Sequence, residues 1–111
     1  MQVTITQITL KSPWHFFALA KNALQITKQL KGTQYREFKK TGVWTTHYTM
    51  TLWDTKEDLQ QFARSGAHLQ GMKISKDIAK EIKTLTYEAD RLPDWKTAKS
   101  KLAEVKGIAY K

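Results

Sequence analysis

At 111 residues, 41% of them apolar and 11% aromatic, the chain suits one domain of ordinary size and is too aromatic for a disordered segment. It has no cysteine, which excludes disulfides, zinc ribbons, iron–sulfur clusters and thiol nucleophiles and fits a reducing compartment. The net charge is +9, but the basic residues are mostly Lys, spread from Lys11 to Lys111, with only Arg36, Arg64 and Arg91 as arginines. Specific nucleic-acid recognition favours the planar Arg fork, so this composition reads as a solvated Lys-rich surface with weak attraction to polyanions.

Gln2 to Leu10 is β-branched and reads as a first strand. Val3 and Ile5 share one face, while Ile8 and Leu10 take the other parity, which suggests a bulge or register change near Gln7. Ser12-Pro13 opens a helix, with Ser12 as cap and Pro13 in the first turn. Phe16, Leu19, Ala20, Ala23, Ile26 and Leu30 then recur at helical spacing on one face, which Phe17 and Leu24 are expected to widen, and Lys31-Gly32 is the stop. Residues 33–41 read as an edge strand, Thr41-Gly42 as a turn, and Val43 to Trp53 as the central strand. Asp54 or Thr55 caps the next helix, whose Leu59, Phe62 and Ala63 face inward. Ser65-Gly66 interrupts it, a further helix is expected over about 67–80, and residues 84–89 form a fourth strand. The tail, 90–111, holds a short Lys-rich helix expected to dock through Trp95, Ala98 and Leu102.

The order β-α-β-β-α-β is the ferredoxin-like split βαβ arrangement, an α+β fold with a four-stranded antiparallel sheet and a split second helix, in a single domain over 1–111. One sheet face would carry the helices. The Thr-rich second face of Val43–Trp53 would meet another copy, giving a homodimer through sheet faces. The start of the chain alternates instead of running apolar, so neither a signal peptide nor a membrane span is expected, and the cytoplasm is the expected location.

The segment WTTHYTMTLWDTKEDLQQFARSGAHLQGM, from Trp44 to Met72, resembles the strand–helix unit of the dimeric α/β-barrel superfamily. Its pattern is Leu52-Trp53-Asp54, then Leu59 and Phe62, then Arg64-Ser65-Gly66-Ala67-His68, then Met72. Within the superfamily it is similar to the spheroidene monooxygenase-like proteins and their uncharacterised bacterial relatives. The resemblance implies a homodimer with a pocket between sheet and helices. It implies a monooxygenase-like activity, either cofactor-free or haem-dependent, and a non-catalytic dimeric ligand-binding or assembly module is the alternative. His68 is the position that resembles a haem-iron ligand.

Several side chains are candidates for such a site. His68 can ligate iron or serve as a polar catalytic group, and it can equally cap the helix break by bonding backbone. Trp53, Phe62 and Met72 offer an apolar wall for a hydrophobic small molecule or haem, and Tyr48 offers a hydroxyl able to polarise a carbonyl or phenol. Arg64 can pair with a carboxylate or haem propionate, or plainly with Asp54, Glu57 or Asp58. His15 and His47 share no metal-ligand spacing with His68, and no Gly-rich phosphate loop or Ser/His/Asp order exists.

Overall fold

The computed structural model describes residues 1–30, 35–64, 73, 76–105 and 107–109. Strand β1 (Gln2–Leu10) leads through a 3-10 turn (Pro13–His15) into helix α1 (Phe16–Leu30). Strands β2 (Tyr35–Val43) and β3 (Thr46–Trp53) form a hairpin, followed by helix α2 (Lys56–Ala63). Strand β4 (Ala79–Glu88), helix α3 (Trp95–Ala103) and the two-residue strand β5 (Ile108–Ala109) complete the described elements. The sheet runs β2-β3-β1-β4-β5 with every neighbouring pair antiparallel. Its first four strands are the ferredoxin-like α+β sheet that the element order predicts, and the tail adds β5 at the edge.

Local chemistry sets most element ends. Thr55 caps α2 by accepting from the Asp58 backbone at 3.1 Å, with Glu57 and Asp58 in the first turn. Asp54 is thereby left free to pair with Arg36 across the β2–β3 ladder. Asp94 caps α3 by accepting from the Thr97 backbone at 2.7 Å. Those hydrogen bonds to Thr97 hold the Asp94 carboxyl below its ordinary value.

Three local expectations change. The hairpin turn falls at Trp44-Thr45, because Val43 pairs with Thr46, not at Thr41-Gly42. Gly42 is inside the ladder opposite His47, where a Cβ would collide with the His47 ring. The glycine therefore marks a close cross-strand approach and not a turn. No bulge occurs near Gln7. The β1–β4 ladder is continuous to Thr9 and shifts between Thr9 and Leu10, so Ile8 stays on the His47 face. Finally, β4 begins at Ala79 and not at Thr84, so residues 79 and 80, expected at the end of a helix, are strand; the Ser65-Gly66 break expected before that helix lies outside the described residues. Ala79 and Ile82 do fit a helical spacing, but each pairs with β1, and ladder formation with a central strand outweighs local pattern.

The two sheet faces are covered differently. On one, Val3, Ile5, Met50 and Leu52 pack with Ala98 and Leu102 of α3, supported by Tyr48, Leu85, Tyr87 and Trp95. Val3, Ile5, Ala98 and Leu102 are fully buried. Lys83 donates to the Leu102 carbonyl at 3.5 Å, and Lys99 and Lys101 lie over the Tyr48 and Tyr87 rings at 5.1 and 4.7 Å. Burial there pushes the Tyr87 hydroxyl up from its ordinary value. On the other face, Trp53 stacks on Phe62 of α2 at 5.3 Å, and Phe16 of α1 stacks on His47 at 5.5 Å. The Thr-rich face expected to meet a second copy thus lies on the side of α1 and α2. The opposite face is covered by the chain's own α3.

Candidate functional site

The face shared with α1 and α2 is built in rows across three strands. Thr4 pairs with Thr51 on one side and Thr86 on the other, and Thr6 pairs with Thr49 and Thr84. These six threonines form a grid of two rows by three strands. Each strand contributes a Thr-x-Thr unit whose central residue, Ile5, Met50 or Leu85, points the other way into the α3-covered core. The grid presents hydroxyls that both donate and accept, and those of Thr4 and Thr86 lie 3.1 Å apart. It lacks any strong acid or base, so it can position an oxygen-bearing ligand without moving a proton.

Each end of the grid is closed by aromatic packing. Toward the hairpin, the row Gly42–His47–Ile8–Ile82 carries Phe16 stacked on His47. The His47 Nε2 lies 3.0 Å from the Trp44 carbonyl, which fixes the ring beneath Phe16. An open cleft of about 550 Å³ lies here, lined by Pro13, Trp14, Phe16, Phe17, Gly42, Trp44 and His47. At the other end, Gln2 lies between Trp53 and Glu88. Trp53, only 1% exposed, packs with Phe62, Leu59, Phe38 and Tyr35. Its indole Nε1 is buried and has no hydrogen-bond partner among the described residues. An indole nitrogen can only donate, so this end of the face offers one unanswered donor.

Of the side chains singled out by the sequence, Trp53 and Phe62 are brought together. Tyr48 is not: it lies five residues from Trp53 on the same strand, an odd interval, and so faces α3. There its ring sits 6.3 Å from Trp95, within the other core. Arg64 is exposed at the C-terminal end of α2 and makes no ion pair among the described residues. His68 and Met72 lie outside the described residues. His15 bonds through Nδ1 to Ser12 Oγ at 2.8 Å and His47 is held under Phe16, so neither described imidazole faces Trp53. Among the described residues, then, no axial ligand for a haem stands at the Trp53 end, and no cluster of three acidic or histidine side chains could hold a metal ion. The threonine grid was not anticipated, although its signal, three Thr-apolar-Thr tripeptides on strands that pair, is present in the chain.

No protein-family model and no curated protein matches the chain. Solved structures do. A candidate antibiotic biosynthesis monooxygenase from Nitrosomonas europaea superposes with a TM-score of 0.72 at 17% identity, covering 82% of this chain and 100% of that one. A second, from Deinococcus radiodurans, gives 0.73 at 13% identity, over 85% and 97% of the two chains. SnoaB from Streptomyces nogalater, a cofactor-independent oxygenase, gives 0.63 at 11% identity over 84% and 97%. The fold is therefore the ferredoxin-like fold of the antibiotic biosynthesis monooxygenases. The finer likeness to spheroidene monooxygenase-like proteins rests on the residue pattern alone. Among the described residues no helix is long and apolar enough to cross a membrane.

Proposed function

We propose that the chain is a monooxygenase-like protein that binds an apolar small molecule carrying a carbonyl or phenolic oxygen, held over the threonine grid between the sheet and helices α1 and α2. The carrying observation is the Trp53 indole N–H, buried with no acceptor among the described residues. Leaving such a donor unanswered costs about 1–3 kcal/mol, a cost that a ligand oxygen would remove. The Phe62 ring stacked on Trp53 supplies an apolar neighbour, and the grid supplies hydroxyls for a second oxygen. Fold neighbours that include a cofactor-independent oxygenase support the class of chemistry. From the resemblance we assign Arg64 to an acidic substituent of the ligand, and His68 to the polar catalytic role or, with haem, the axial one.

Titration with 1,4-naphthoquinone, followed by tryptophan quenching, tests the reading. Trp53→Phe should weaken binding about tenfold while leaving the circular dichroism unchanged, since one hydrogen bond to a buried donor is lost. Undiminished affinity in that variant would remove the assignment. Haemin titration decides the cofactor: a Soret shift abolished by His68→Ala supports haem, and no shift sinks it. The homodimer implied by the resemblance belongs to the same proposal, and gel filtration at micromolar concentration checks it.

A further inference from the structure

The exposed large apolar residues gather on one side of the molecule. Trp14 is 79% exposed, Phe17 70%, Leu24 58% and Trp44 75%. On α1, Phe17, Lys21, Leu24 and Lys28 follow at intervals of four, three and four, and all four are exposed, so Phe17 and Leu24 lie on the outer face and do not widen the inward one as expected. That spacing makes a single outer stripe of alternating apolar and cationic side chains. Trp14 lies just before its N-terminal end. Trp44, on the hairpin tip, borders the same cleft as Trp14 and Phe17, so helix and hairpin present one apolar edge.

The half of the chain that carries this edge is basic. Residues 1–53 contain seven basic residues and one acid, Glu37, whereas the other nine acids all lie from Asp54 onward. Glu37 is itself within 3.6 Å of Lys39. Backbone geometry adds an independent sign. Trp44 has φ of 60°, among the described residues the only positive value outside glycine, at the first position of a two-residue hairpin loop. Glycine suits that position, and a bulky residue held there points to a function for its side chain.

We propose that this surface docks peripherally on an anionic lipid bilayer. Trp14, Phe17, Leu24 and Trp44 enter the interfacial region, and Lys21, Lys28 and Lys40 meet the headgroups. A second copy fits poorly, because a symmetric contact would set two cationic patches face to face. A nucleic acid fits less well than a bilayer: the cations along this edge, Lys21, Lys28 and Lys40, are lysines, Arg36 is taken by Asp54, and Leu24 has no ring on which a base can stack. The proposal does not depend on the ligand assigned to Trp53.

Co-sedimentation with vesicles of phosphatidylglycerol and phosphatidylcholine, against phosphatidylcholine alone, at about 150 mM salt tests it. Binding should need the anionic lipid and be accompanied by quenching of tryptophan emission by brominated acyl chains. The Trp14→Ser/Phe17→Ser pair and, separately, the Lys21→Glu/Lys28→Glu pair should each weaken it about tenfold or more. Trp44→Gly is the separating variant: it should bind vesicles several-fold more weakly yet melt at a higher temperature. Absence of vesicle binding overturns the proposal, as does binding that the aromatic pair leaves unchanged. A dimer that dissolves in the aromatic pair, or an oligonucleotide complex abolished by it, assigns the surface to another partner and overturns it equally.

Discussion

The two faces of the sheet follow different rules. Under α3, apolar residues from three strands and one helix close to complete burial, and lysines lie over the tyrosine rings at the margin. On the side of α1 and α2, the centre of the same three strands is hydroxyl-bearing, aromatic contacts stand at its ends, and a cleft opens at the hairpin. Period-two alternation in each Thr-x-Thr unit builds both at once: Ile5, Met50 and Leu85 serve the core while their neighbours form the floor. Stability can therefore be concentrated on one side, leaving the other to bind.

This division can be broken from either side. The largest effect should come from Leu102→Ala, which opens a cavity in the closed core and should cost about 2–5 kcal/mol by urea denaturation. Ligand binding over the threonine grid should survive in whatever fraction stays folded. Gly42→Ala comes next. The added methyl collides with the His47 ring, which is pinned by Phe16 and the Trp44 carbonyl, and overpacking of this kind costs about 1–3 kcal/mol. Thermal melting measures that loss, and proton NMR should show the His47 ring displaced. Trp44→Gly runs the other way. Removing a side chain from a left-handed residue should stabilise by about 1 kcal/mol, read as a higher melting temperature.

The smallest effect should be electrostatic. Asp94 titrates below its ordinary value because the folded state hydrogen-bonds its carboxylate. A depressed folded pKa means that its contribution is present above the unfolded pKa of about 4 and disappears as pH falls through the folded one. Asp94→Ala should therefore lower the melting temperature at neutral pH and flatten the acid limb of the stability profile. An unchanged acid limb would show that the cap does not couple to stability.

Much of this was legible along the chain. The bounds of β1, a cap at Asp54 or Thr55, the end of β3 at Trp53 and the inward Leu59 and Phe62 follow from rules that act over a few residues; the structure chooses Thr55 as the cap. So do Trp95, Ala98 and Leu102, whose helical spacing matches their packing on the sheet. The hairpin was misplaced because Thr41-Gly42 has turn chemistry while Trp44 has none, and the reason for Gly42 lies in a ring on the neighbouring strand. The early start of β4 at Ala79 is not legible in local spacing, which cannot register a long ladder to a strand some seventy residues earlier.

The sequence by itself determined the order of elements, their caps and the alternation that divides each strand into an apolar and a polar side, since all of these are decided by neighbours within a few bonds. Only the tertiary structure decided that three separate Thr-x-Thr units align into one grid, that Tyr48 packs in the core under α3, and that the Trp53 indole is buried with no acceptor among the described residues. Those depend on register and on which helix covers which face, and register is fixed by long-range pairing that no local pattern carries.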